Sequence, residues 1–197
     1  MRIALLGGSF DPVHNAHLAL ALQAKSQLQA EQVQLIPAAQ PWQRQALGAT
    51  PDQRLAMLRL ALATHSGLVI NDIEIQRGGP TYTLDTVQNL PAGHEYFWLL
   101  GSDQLNNFCT WKDWQAILRY VNLAVAQRPG SELAAPKALQ TYLLQANKKL
   151  QIIQMDAMAI SSTQIRQNIQ QGLEINDYVP DSVLRYIQQH NLYLNTD

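Results

Sequence analysis

The chain has 197 residues, 47% of them hydrophobic, which suffices for one substantial core and predicts a single domain over 1–197. Lys+Arg 14 against Asp+Glu 15 leaves a net charge of −1, so no global field recruits nucleic acid or an anionic membrane, and any anion site has to be local. The single cysteine, Cys109, excludes an internal disulfide framework, and the apolar run at 3–6 is too short for a signal peptide or a membrane span, which together predict a soluble cytoplasmic protein.

Residues 3–6 form an unbroken apolar run, as in a parallel strand covered on both faces. Asn15 is placed to cap a helix running to about residue 29, with Leu18, Leu20, Leu22 and Leu28 as its apolar positions. "VQLIP" at 33–37 reads as the next strand, giving a βαβ unit. Residues 52–64 carry Leu55, Leu58 and Leu62 at helical spacing, and "LVINDIEI" at 68–75 reads as a strand. Further strands are expected at 96–101, 122–126 and 151–155, with a helix over 111–120 and Trp98 in the core. Two helices close the chain, over 162–171 and 180–190, with Gly172 at a C-cap position, so that 161–197 forms a small C-terminal helical region. The alternation predicts an α/β, doubly wound (Rossmann-like), mainly parallel sheet with helices on both faces, whose ligands sit outside the carboxyl ends of the strands.

The connection after the first strand, "GGSFDPVHNAH" at 7–17, holds more chemistry than a turn requires. Gly7 and Gly8 let the backbone turn out of the strand and approach a ligand, while His14 and His17 flank a helix start with its unpaired N–H groups. The stretch matches neither G-x-G-x-x-G nor the phosphate loop G-x-x-x-x-G-K-[ST]. Polyphosphate binding and a turn with incidental histidines both remain open. A metal site lacks further ligands, since Cys109 stands alone and His65, His94 and His190 are scattered. A second cluster lies in "AISSTQIRQNI" at 159–169. Ser161 with Gln164 fits a capping box, an ordinary helix start, but Ser162 and Arg166 share a helical face and make a second polyphosphate clamp. Two such sites suggest one nucleoside triphosphate held between them. Thr83 and Thr86 follow Gly78-Gly79-Pro80 at a helix start, whose free N–H groups suit a carboxylate.

These two stretches resemble the G-x-F-x-P-x-H-x-G-H and I-S-S-T-x-I-R motifs of the nucleotidylyltransferase superfamily. With "TYTLDT" at 81–86, "GSDQL" at 101–105, "TWKDW" at 110–114 and the ending "VPDSVLRYIQQHNLY", the sequence is similar over essentially its whole length to the bacterial nicotinate mononucleotide adenylyltransferases. The resemblance implies adenylyl transfer from ATP, accompanied by Mg²⁺, to nicotinate mononucleotide, with pyrophosphate as leaving group. It implies catalytic roles for His14, His17, Arg44 and Arg166, with His17 at the transferring α-phosphate. ATP contacts would further come from Gly7, Gly8, Ser9, Phe10, Ser161, Ser162, Gly101 and Asp103, the last two at a ribose. The acceptor would meet Thr83, Thr86 and the ring of Trp111. The chain departs from the pattern at Ala16, where the family has glycine, and at "PWQR" (41–44), where Arg44 stands for a Pro-Pro-His-Lys-like loop. Homo-oligomerisation stays open. The rival readings are a related adenylyltransferase using nicotinamide mononucleotide or phosphopantetheine, and a non-catalytic nucleotide-binding regulator, for which Ala16 speaks. A class I aminoacyl-tRNA synthetase relative is opposed by the lack of a basic surplus and of an anticodon-binding region.

Overall fold

Residues Arg2–Gly8 form strand β1, whose side chains alternate between two cores. Ala4 and Leu6 face one cluster, with Leu18, Met57, Ile165 and Val183, while Ile3 and Leu5 face the other, with Val87, Leu105, Ile117 and Leu139. A strand buried on both sides must be apolar throughout, which is why 3–6 shows no polar alternation. The computed structural model describes residues 1–41, 47–127, 133–156 and 158–194.

In chain order the elements after β1 are α1 (Asn15–Gln27), β2 (Gln32–Pro37), β3 (Gln40–Pro41), α2 (Pro51–Leu62), β4 (Leu68–Ile70) and α3 (Ile73–Arg77). There follow β5 (Pro80–Thr81), α4 (Thr83–Gln88), β6 (Glu95–Leu100), α5 (Ser102–Asn107), α6 (Trp114–Ile117), β7 (Asn122–Gln127) and α7 (Lys137–Gln145). β8 (Gln151–Gln154), α8 (Ser162–Gln170) and α9 (Asp181–Gln189) complete the set. Six strands pair in the order β4-β2-β1-β6-β7-β8, every pair parallel, and β3 with β5 makes a separate two-stranded ribbon. Helices α1, α2, α8 and α9 contribute to the first cluster, α4 to α7 to the second, so the sheet is covered on both faces as a Rossmann-like α/β fold.

Several local expectations need correction. The strand expected over 68–75 stops at Ile70, because Asn71 and Asp72 offer the backbone a helix start. The Asn71 side-chain oxygen accepts from the Ile73 N–H at 3.2 Å, and Asp72 accepts from the Gln76 amide at 2.7 Å. The helix expected over 111–120 shrinks to α6, since Asp113 adopts a left-handed φ of 50° and a 3₁₀ turn occupies Phe108–Thr110. In α1 the cap is His14 rather than Asn15, and the buried face is Leu18, Ala21 and Ala24, with Leu22 exposed. Small residues let this helix lie close on the sheet.

Candidate active site

From β1 the chain winds outward through β2 to β4, and from β6 outward through β7 to β8, so the switch in winding direction falls between β1 and β6. Ligands in such sheets bind in the crevice at the carboxyl ends of the strands beside that switch. β1 ends there at Gly8 and β6 at Leu100. Gly7 and Gly8 lie inside β1 instead of forming the turn out of it. A Cβ on Gly7 would stand 2.8 Å from the ring of Trp98, so packing by the neighbouring strand already demands glycine. The turn is made by Ser9, Phe10 and Asp11, all buried, with Phe10 at φ 48° and a cis Asp11–Pro12 peptide.

This turn delivers the two histidines. His14 caps α1 and His17 sits one turn later, their rings stacked at 3.6 Å, with Phe10 edge-on to His17 at 4.9 Å. The His14 backbone N–H donates to His17 Nδ1 at 3.3 Å. A nitrogen that accepts carries no proton, so the His17 ring presents its N–H at Nε2. His14 is 5% exposed, and its Nδ1 has no partner among the described residues. Burial lowers its pKa to about 4, so at neutral pH it is an uncharged imidazole.

The second motif docks on the first. Ser161 caps α8, its hydroxyl accepting from the Gln164 N–H at 3.2 Å. The expected capping box is only half made, because the Gln164 amide turns to Asn168 instead. The Ser162 hydroxyl donates to the Pro12 carbonyl at 3.0 Å, and Arg166 Nη1 donates to the Asp11 carbonyl at 2.7 Å. Residues 150 and 155 positions apart are thus hydrogen-bonded across the crevice mouth. The Ser162 hydroxyl has one proton, already given to Pro12, which leaves its backbone N–H as the donor for a ligand.

Gly101 caps α5 at the end of β6, and Asp103 lies exposed in the first turn of α5. Thr83 opens α4 half-buried. Thr86 is fully buried, its hydroxyl donating to Glu74 at 2.6 Å and accepting from Arg77 at 3.3 Å. It therefore stands behind the surface that Thr83 helps form. Burial pushes the Glu74 carboxyl up to about 7 against the opposing pull of Thr86 and Arg77. Trp111 is half-buried, its ring 5.2 Å from that of Phe108. Arg44 lies outside the described residues.

Sequence reasoning passed over Asp11, Arg54, Glu74 and Tyr193. Arg54 is completely buried and donates from Nη1 to the Ser9 carbonyl at 2.7 Å. Its signal was present: positions 54, 58, 61 and 62 share one buried helical face, so a charge there is a core charge. Among the described residues no group of three or more His, Cys, Asp or Glu could hold a metal ion. Nor, among them, is any helix long and apolar enough to cross a membrane.

A cytidylyltransferase-like family model matches residues 5–168. A protein of Bordetella pertussis named "Probable nicotinate-nucleotide adenylyltransferase" is 54% identical over 192 residues, covering 98% of each chain. A protein of Neisseria meningitidis serogroup C bearing the same name is 38% identical over 200 residues, again covering 98% of each. Among solved structures, Plasmodium falciparum nicotinic acid mononucleotide adenylyltransferase complexed with NaAD superposes with a TM-score of 0.77 at 19% identity, over 98% of this chain and 97% of that one. At that identity the superposition shows the shared fold.

Proposed function

The chain belongs to the cytidylyltransferase-like family and, within it, to the nicotinate-nucleotide adenylyltransferases, and from that premise we propose that it transfers the adenylyl group of ATP to nicotinate mononucleotide. A 5′-phosphate oxygen of the mononucleotide attacks the α-phosphorus of ATP. The bond from that phosphorus to the bridging oxygen breaks, and pyrophosphate leaves with the bond's electrons. The products are nicotinate adenine dinucleotide and pyrophosphate, a step in NAD biosynthesis. Both reactants bring nucleophile and leaving group with them, so the protein's work is positioning and stabilising developing phosphate charge.

The observation that carries this reading is the docking of the Ser162–Arg166 face on the Asp11–Pro12 turn, which converges both phosphate motifs on one crevice. His17, with its N–H at Nε2, and the neutral His14 act as oriented donors to the phosphates beside the N–H groups opening α1. Arg166 and the backbone N–H groups opening α8 hold the β- and γ-phosphates. Arg44 supplies charge from 42–46. Gly101 and Asp103 at the end of β6 suit the ribose. Thr83 and Trp111 face the acceptor, with Thr86 bracing α4 from behind through Glu74. Mg²⁺ would arrive with ATP, on phosphate oxygens and water, and would neutralise charge on the leaving pyrophosphate. The single cysteine supports a cytoplasmic setting.

The test is pyrophosphate release with Mg-ATP and a panel of nicotinate mononucleotide, nicotinamide mononucleotide and phosphopantetheine. The acid mononucleotide should give the highest kcat/KM. Equal efficiency for acid and amide would refute the assigned acceptor, and ATP binding with no turnover on any acceptor would favour the regulator reading.

A further inference from the structure

Asp11 is 1% exposed, yet its carboxylate is the meeting point of four chain segments. One oxygen accepts from the Ala49 N–H at 3.0 Å and from the Tyr193 hydroxyl at 2.8 Å. The other accepts from the Gly48 N–H at 2.8 Å and lies 3.8 Å from Arg166 Nη1, the nitrogen that donates to the Asp11 carbonyl. Gly48 and Ala49 end the connection that carries Arg44, Arg166 belongs to α8, and Tyr193 follows α9. Packing fixes the same group. A Cβ on Gly48 would lie 2.8 Å from the Tyr193 ring and 3.4 Å from Arg166 Cδ. Tyr193 is 7% exposed at a left-handed φ of 67°. Burial and the adjacent Asp11 raise the pKa of its phenol, so it stays a donor.

We propose that Tyr193 is a positioning residue for the triphosphate: by satisfying Asp11 it keeps Arg166 turned to the crevice. This rests on the reading of Arg166 as an ATP ligand. A buried carboxylate requires its donors, and the loss of one leaves a penalty that the nearest cation relieves. Without the phenol, the cation already within ion-pair distance of the carboxylate is Arg166, whereas the buried Arg54 is anchored on the Ser9 carbonyl. Arg166 closes the 3.8 Å gap to Asp11 and withdraws from the phosphates. The tail of the chain thereby acts on ATP without touching it.

The experiment measures Mg-ATP affinity by calorimetry, and KM for both substrates by pyrophosphate release, in four proteins: wild type, Tyr193→Phe, Arg166→Ala and the double variant. Phenylalanine keeps the ring on Gly48 and removes only the hydroxyl. Tyr193→Phe should weaken ATP binding about threefold to tenfold in the wild-type background, leave the acceptor KM unchanged, and add nothing in the Arg166→Ala background. Equal weakening in both backgrounds, or none in either, overturns the proposal, because a merely structural tyrosine would not depend on Arg166. Unchanged ATP binding in Arg166→Ala overturns it together with the reading of Arg166. If the acceptor assignment is wrong, turnover is absent but the calorimetric cycle still reads out. Should Tyr193→Phe not fold, Asp11→Asn in the same two backgrounds replaces it. It removes the charge that would draw Arg166 away, so ATP binding should be retained with Arg166 present, and a loss of ATP affinity of the size expected for Arg166→Ala overturns the proposal.

Discussion

Replacing His14 by asparagine should change how the protein's stability responds to acid, and replacing Glu74 by glutamine should change it in the opposite sense. Burial holds His14 at about 4, below its ordinary 6.5. Its contribution is therefore complete above pH 6.5 and lost as pH falls toward 4, since the unfolded chain takes up the proton first. Glu74 is held at about 7, above its ordinary 4.5, so its contribution is complete below pH 4.5 and lost as pH rises through 7. Each displacement corresponds to about 3 kcal/mol across nearly the same window, with opposite signs. In the wild type the two offset one another. Urea unfolding at pH 7 and pH 4.5 measures the effect as a difference of differences, so that every other titrating group cancels. Relative to wild type, His14→Asn should gain about 2.5 kcal/mol on acidification over that interval and Glu74→Gln should lose about as much. The same pH dependence in all three proteins would refute the argument, and would mean that water reaches both side chains.

His17→Ala should lower kcat about 10²- to 10³-fold with little change in acceptor KM, as expected for one oriented donor lost from the transition state; near-normal kcat would remove His17 from the mechanism. Arg166→Ala should chiefly raise the KM for ATP, by a factor corresponding to about 1.5–3 kcal/mol, because a β/γ-phosphate contact binds ground and transition states alike. A drop in stability with ATP binding intact would reduce Arg166 to a brace for the Asp11 turn. Trp111→Ala should weaken acid and amide mononucleotides in parallel, by about 1–3 kcal/mol for a lost stacking platform, and leave the KM for ATP unchanged. A defect confined to ATP would place Trp111 elsewhere.

The parallel sheet and the helix starts of both motifs were legible because each is written in local spacing. Apolar runs at 3–6 and 122–126 became β1 and β7, and Ser162 and Arg166 do share the face that a four-residue separation assigns them. What stayed hidden depends on partners distant in sequence. Asp11 stood inside the quoted motif, but nothing near it announces the Tyr193 hydroxyl 182 residues away. Thr86 read as an acceptor contact because position in a helix was the only available criterion, whereas its burial and its bond to Glu74 are tertiary facts. Helix α7 was missed altogether, and 68–75 misled because isoleucine and valine there favour a strand until Asn71 and Asp72 end it.

The charge inventory indicates how such a site acts on a highly charged substrate. Around the buried Asp11 carboxylate, the positive charges of Arg54 and Arg166 oppose one negative charge, leaving one net positive charge among them. His14 adds none at neutral pH. On the function proposed above, the described residues besides Arg166 would meet a triphosphate with neutral, oriented donors: the His17 Nε2–H, the imidazole of His14 and the N–H groups opening α1 and α8. Such donors act through aim more than through net attraction, and preorganised donors need no reorganisation as charge develops. Aim has to be built by the surroundings, which accounts for a carboxylate placed where it opposes phosphate charge. Asp11 gives up some attraction, and in return its carboxylate fixes the turn that carries both histidines to the Gly48 and Ala49 N–H groups and the Tyr193 hydroxyl. A site relying on bare positive charge would have no use for that acid. One relying on geometry does.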